Sequence, residues 1–326
     1  MQMRIKSGQY LKWVANAAAT RLGLKLFSVN LEVTKKCNAR CNFCDYWKTR
    51  EEQALEDYLP IIQHLDPLSV TITGGEPLLR KDIANIIGGL KSNLPLIRLS
   101  MITNGIALSE GIADSLFNAG LDQLSISLDF LDERHDRNRG SKGLFQHIND
   151  IAPKIRSKGH NLCLNTVVMK DNSDHLPEIV SWANKNQIDV GFSCYSDLKN
   201  MNKKHLVPEA EIAGVKNSIA DLLDLKKSYG NVLNSEFYLK NIPLFFEKKD
   251  INGCQAGMKW VQVTPEGHIK RCSEHRVKCH WTEYDRSTFD ATHCGRCWFA
   301  CRGESQAPFQ LSRLSKYARF LISNLK

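Results

Sequence analysis

The 326-residue chain lacks long hydrophobic runs: none approaches the roughly 20 apolar residues that a bilayer-spanning helix requires. It also lacks a secretory signal, because Met1 to Tyr10 is charged and has no apolar core; this predicts a cytoplasmic protein. No internal repeat and no low-complexity tract is present, which excludes a repeat architecture. Acidic residues are the scarcer charge, 35 against 44 Lys and Arg, leaving a formal net charge of +9. An anionic partner (nucleic acid, a phospholipid surface or an acidic substrate) would match that surplus, and so would a solvated lysine-rich surface. Charge alone does not choose.

Cysteine, by contrast, is plentiful: there are 11. Without an export signal these thiols are expected to stay reduced rather than pair as disulfides. Nine fall into two groups, Cys37 to Cys44 and Cys254 to Cys301, while Cys163 and Cys194 stand apart. Clustered cytosolic cysteines most often hold a metal.

Between residue 28 and residue 194 short β-branched apolar runs alternate with stretches of helical period. The runs are 28–34, 69–73, 97–103, 123–128, 162–168 and 190–194; the helical stretches include 51–65, 83–90, 112–119, 145–158 and 175–186. Six strands, each followed by a helix, predict an α/β fold: a partial (β/α)6 barrel of parallel strands with a small cysteine-rich α+β C-terminal module. The division expected is a basic amphipathic helix over 1–27, the barrel over 28–198, a helical connector over 199–252, the cysteine-rich module over 253–308 and a second basic amphipathic helix over 309–326. In such folds ligands bind at the carboxyl ends of the strands. There stand Cys37 after the first strand, Gly74-Gly75-Glu76-Pro77 after the second and Thr103-Asn104-Gly105 after the third. Ser127 and Asp129 end the fourth, and Asn165 lies within the fifth.

Cys37-x3-Cys41-x2-Cys44 places three thiolates on one short loop. A cubane [4Fe–4S] cluster has four irons, so three cysteines leave one iron open, as a catalytic metal requires. Half of a zinc site is the alternative, but zinc favours paired C-x2-C units and no fourth ligand appears before His64. With Phe43 between the last two cysteines, and with Gly74-Gly75-Glu76-Pro77, the chain resembles the radical S-adenosylmethionine superfamily from Leu31 to about Cys194. The resemblance implies a catalytic [4Fe–4S] cluster whose open iron is chelated by S-adenosyl-L-methionine. It implies reductive cleavage to a 5′-deoxyadenosyl radical, hydrogen abstraction from substrate, and an electron donor such as flavodoxin or ferredoxin. Within that expectation Gly74 and Gly75 admit close backbone approach, and Glu76 accepts hydrogen bonds from the methionine ammonium. Asn104, Ser127 and Asp129 offer groups for the ribose and the methionine end, with Asn165 a further candidate. Arg139 would pair with the methionine carboxylate, with Arg134 and Arg137 as alternatives.

The second group comprises Cys254, Cys272, Cys279, Cys294, Cys297 and Cys301. With Gly267-x4-Cys272 it resembles the SPASM and twitch extensions, although the full SPASM pattern has seven cysteines and a longer gap after its C-x2-C pair. One auxiliary [4Fe–4S] cluster fits better than two, on Cys254 and Cys272 with two of Cys294, Cys297 and Cys301; structural zinc is the alternative. Cys279, His280 and His293 are spare ligands or none.

Cys194 and Tyr195 are candidate catalytic groups at the end of the sixth strand, with Asp197 nearby and Glu274 reaching in from the module. At the chain ends Tyr10, Trp13, Val14 and Leu314, Tyr317, Leu321 recur at helical spacing among Lys and Arg, which suits packing on the core or peripheral contact with the inner membrane face. The expected function is radical C–H activation of a small-molecule or lipid-like biosynthetic substrate. Maturation of a ribosomally made peptide is the alternative, and a non-catalytic metal protein associated with nucleic acid is the reading of another class. The three-cysteine loop and Glu76 argue against the last, so nucleic acid is not expected as a partner.

Overall fold

A computed structural model of the chain describes residues 15–20, 22–49, 53–248, 250–251, 253–289 and 294–308. Most of residues 1–27 and all of 309–326, where amphipathic helices are expected, lie outside the described residues, as does His293. Six parallel strands run in sequence order, β1 (Ser28–Thr34), β2 (Ser69–Gly74), β3 (Arg98–Thr103), β4 (Gln123–Ser127), β5 (Leu162–Val168) and β6 (Asp189–Cys194). The sheet continues on the other side of β1 with β7 (Trp260–Val263), which is parallel to β1, then β8 (His268–Lys270) and β9 (Val277–His280), each antiparallel to the strand before it. The C-terminal strands therefore extend the sheet of the core.

Helices α1 (Leu59–Leu65), α2 (Ile83–Asn93), α3 (Glu110–Asn118), α4 (Arg134–Arg139), α5 (Leu144–Ser157) and α6 (Leu176–Lys185) connect β1 to β6. Their buried Ile62, Ile87, Leu116, Ile148 and Val180 pack with Val29, Leu31, Val70, Ile72, Leu99 and Leu124 in one core. Pro60 in the first turn and Asp57, whose Oδ1 accepts from Leu59 N at 2.8 Å, start α1 eight residues later than the expected 51–65. The stretch after β4 forms α4 because Asp132 Oδ1 accepts from Arg134 N at 2.8 Å and Gly140 ends the turn at φ 63°.

The polar connector holds two amphipathic helices, α7 (Ile212–Tyr229) and α8 (Glu236–Lys248). Val215, Ile219, Leu222, Tyr238, Leu239, Ile242, Phe245 and Phe246 are buried against the core. Mean polarity over the stretch hides that face. Finally, α9 (Ala300–Gln306) packs against β6, β7 and α8 and covers the side of the sheet between the two strands. Cys194 N donates to Trp298 O at 3.3 Å, and Trp298 stacks on Tyr238 with centroids 5.7 Å apart.

Candidate active site

Cys37, Cys41 and Cys44 lie on the loop that leaves β1. The exit of β2 grips its beginning, Gly75 N donating to Thr34 O at 2.7 Å and Glu76 N to Lys36 O at 2.8 Å. That contact explains both glycines. A Cβ on Gly74, at φ +141°, would sit 2.0 Å from the Thr34 carbonyl oxygen, and one on Gly75 would sit 2.1 Å from that of Lys36. The end of α4 holds the middle of the loop, with Arg40 N donating to Arg139 O at 3.0 Å and Asn42 N to Asn138 O at 3.2 Å. Asn104 Nδ2 donates to Asn38 Oδ1 at 2.8 Å and approaches Cys37 Sγ at 3.8 Å. Burial pushes the Cys41 thiol up to about 11, with the Arg139 charge working against it.

Behind the loop stand two buried acids. Glu76 accepts from Leu78 N at 3.0 Å, Thr103 Oγ1 at 2.7 Å and Asn104 N at 2.7 Å, so its carboxylate ties the exits of β2 and β3 together. Burial raises its pKa and these donors oppose the rise. Asp129 accepts from Arg139 Nε at 2.8 Å and from Val167 N at 3.0 Å. Burial disfavours the Arg139 charge, but Asp129 and the Cys41 sulfur outweigh it and keep the guanidinium protonated. His135 accepts from Asp129 N at 3.2 Å, and burial pushes its pKa down to about 4, so the ring is neutral there.

A cavity of about 1100 Å³ opens above these groups. Cys37, Cys41, Cys44, Phe43, Gly74, Gly75, Asn104, Ser127, Arg139, Asn165, Cys194, Tyr195, Glu274 and Cys301 line it. Glu76, Pro77, Asp129 and Asp197 do not. Of the three arginines weighed, Arg139 alone reaches the wall, its guanidinium 5.1 Å from the Phe43 ring centre. Arg134 pairs with Asp132 and Arg137 with Glu133. Cys194 Sγ accepts from Tyr238 Oη at 3.7 Å, and burial raises its pKa. Tyr195 Oη donates to Asn202 O at 2.6 Å, and its ring meets Phe43 edge-on with centroids 6.4 Å apart.

In the C-terminal part Cys254 and Cys272 are buried together around Ala256 and Trp260, with Cys294 and Cys301 against them. Cys297 is electrostatically coupled to Cys254 and Cys272, and Cys301 to Cys297 and Cys272. Arg302, fully buried, donates to Cys297 O at 2.6 Å and to Ile251 O, and so staples this loop. Cys279 stands apart on β9, beside Glu283 and Lys278. Among the described residues no three His, Cys, Asp or Glu side chains converge closely enough to hold a single ion.

Sequence reasoning missed the inner wall. Gln262, Asn30, Thr71, Ser100 and Gln123 lie side by side across β7, β1, β2, β3 and β4, and all five line the cavity. The signal was present as strict alternation, Ser-Val-Asn-Leu-Glu-Val-Thr in β1 and Ser-Val-Thr-Ile-Thr in β2. Lys199, Tyr46 and Glu32 on the same wall were missed as well.

The family model described as the radical SAM superfamily matches residues 31–183. A GTP 3′,8-cyclase of Marinobacter nauticus is 33% identical over 182 residues, covering 53% of this chain and 54% of that protein. The chain thus spans about half the length of that relative. A PqqA peptide cyclase of Xanthomonas euvesicatoria is 26% identical over 309 residues, covering 86% of this chain and 78% of that one. The solved structure of Streptococcus suis SuiB bound to S-adenosylmethionine has a similar fold, with a TM-score of 0.65 at 18% identity over 86% of this chain and 72% of that one. Residues 31–183, just under half of the chain, form a radical SAM domain.

Proposed function

We propose that this enzyme abstracts hydrogen from a carbon of a peptide held in the polar cavity. The observation that carries this reading is the row of amides and hydroxyls from Gln262 to Gln123. Strands of a parallel sheet covered on both faces are ordinarily apolar throughout. Polar groups facing a cavity need partners, and a peptide backbone supplies donors and acceptors along its whole length.

Charge supports the same substrate class. The lining cations Arg98, Arg139, Lys199, Lys226 and Lys227 are matched in number by Glu32, Asp189, Glu236, Glu274 and Glu304. A nucleoside triphosphate would call for surplus cations, and a lipid for apolar walls. Among similar proteins, the PqqA peptide cyclase and SuiB, solved with its precursor peptide SuiA, are named for peptides.

When bound, a [4Fe–4S] cluster and S-adenosylmethionine supply one-electron cleavage of a carbon–sulfur bond and a 5′-deoxyadenosyl radical. Cys37, Cys41 and Cys44 would hold that cluster. Arg139, fixed by Asp129, presents a guanidinium to a carboxylate, while Asn104, Ser127 and Asn165 offer hydrogen bonds to hydroxyl and amino groups. The auxiliary cluster would take Cys254 and Cys272 with two of Cys294, Cys297 and Cys301. The test is release of 5′-deoxyadenosine by reconstituted, reduced enzyme given a peptide library, GTP or a polyprenyl lipid. Peptides should stimulate release; stimulation by GTP or lipid alone would sink the proposal.

A further inference from the structure

On the side of the cavity nearest the C-terminal module lies a charged group outside the cysteine and methionine machinery. Lys199, just beyond β6, lines both the main cavity and an adjoining one of about 360 Å³, together with Glu32, Tyr46 and Glu274. Its Nζ stands 3.9 Å from the centre of the Tyr46 ring. The two acids have neutral donors of their own: Tyr46 Oη donates to Glu32, and Ser273 Oγ to Glu274 at 2.7 Å. Lys199 makes no hydrogen bond and no ion pair among the described residues.

An ammonium carries three donors and no acceptor, and its desolvation is costly unless an acceptor meets it. A ring face offsets only part of that cost. Burial works against the charge of Lys199, and the carboxylates of Glu274 and Glu32 beside it work for it. The molecule thus presents on the cavity wall a partly buried charged donor that has no protein acceptor among the described residues.

We propose that Lys199 receives a single carboxylate of the substrate, an Asp or Glu side chain of the bound peptide. This deepens the peptide reading and rests on it. An ionised acceptor gains more from a desolvated ammonium than a neutral carbonyl does. Glu32 and Glu274 face Lys199 and favour the single charge of a carboxylate over the roughly two of a phosphate, while Lys35, Lys270 and Arg276 on the adjoining pocket work the other way.

Binding of reconstituted holoenzyme, with S-adenosylmethionine present, to an immobilised array of Glu, Gln, Lys and phosphoserine peptides tests this without turnover. Wild type should hold Glu peptides about tenfold more tightly than their Gln counterparts, a factor that corresponds to one charge-assisted contact. Lys199→Gln should erase that preference, Lys199→Arg should retain it, and Lys199→Glu should turn it toward Lys peptides. Unchanged iron content in the three variants separates loss of recognition from loss of fold. No Glu preference in wild type, or a preference that survives Lys199→Gln, overturns the inference and leaves the peptide reading standing. A stronger preference for phosphoserine overturns the carboxylate assignment. Binding to no peptide at all overturns the peptide reading, and the inference with it.

Discussion

The loop after β1 brings three thiols together within residues 37–44, whereas the C-terminal group draws its thiols from residues 254, 272 and 294–301. The first is a local structure. Its shape is imposed by the exit of β2 through Gly75 and Glu76 and by the end of α4, whose carbonyls accept from Arg40 and Asn42, and it faces the cavity. The second exists only once distant parts meet: the β7–β8 hairpin, the loop stapled by Arg302, and β1, whose Asn30 hydrogen-bonds Cys301. A site that preforms can trade its metal with little effect on the fold. A site assembled by tertiary structure makes metal binding part of folding.

Removing thiols from each group gives the largest expected contrast. Cys41→Ala should reduce 5′-deoxyadenosine release to background and iron from about eight to about four per chain, with the melting temperature nearly unchanged. The triple substitution Cys294→Ser/Cys297→Ser/Cys301→Ser leaves only Cys254 and Cys272 of the other group's candidate ligands. It should remove about four irons as well, but also lower the melting temperature clearly. Equal melting temperatures for the two proteins, measured by calorimetry under anaerobic conditions, would break the distinction.

Proton release sharpens it further. Burial holds Cys41 at about 11 and raises Cys37, while in the C-terminal group it takes Cys272 to about 11, Cys297 to about 12 and Cys301 higher still. Metal binding needs thiolates, so every raised thiol must give up a proton, and each obligatory proton is worth about tenfold in apparent affinity per pH unit. Iron loading should therefore strengthen from pH 7 to pH 9 at both sites, more steeply at the C-terminal one. The sign for the metal-free fold is opposite. Thiols raised above their unfolded values favour that fold below about pH 9 and cease to as pH climbs toward their folded values. Iron bound at limiting supply, compared between Cys41→Ala and the triple variant, measures the two slopes; equal slopes would count against the difference in burial.

The same contrast decides what was legible in the sequence. Strands β1 and β5 were read to the residue because apolar runs with clear flanking turns mark them, and the three-cysteine loop was legible because its ligands are neighbours in sequence. Glu76 and Asp129 were picked out as polar groups at strand ends, but side-chain direction is a tertiary property. Their carboxylates turn inward to Thr103, Asn104 and Arg139. Lys199 looked like one lysine among many in a polar stretch, and only the packing of Tyr46 beneath it distinguishes it. The polar wall was written in β1 to β4 as alternation. It went unread because parallel strands are expected to be apolar on both faces.

Cys279 supplies the smallest effect and a check on the grouping itself. By spacing alone it belongs with Cys272 and Cys294, and a purely sequential view would count it a ligand. On β9, however, it pairs in register with Ile269 and faces Glu283 and Lys278 rather than the thiols around Trp260. Its partial exposure means that exchanging sulfur for oxygen deletes little buried surface and leaves no polar group stranded, so the change in stability should stay within about 0.5 kcal/mol. Cys279→Ser should accordingly keep about eight irons per chain, full release of 5′-deoxyadenosine and an unshifted denaturation midpoint. Loss of about four irons in that variant would place Cys279 among the ligands. It would also require β9 to turn its thiol toward Cys254 and Cys272, against the register that pairs Ile269 with it.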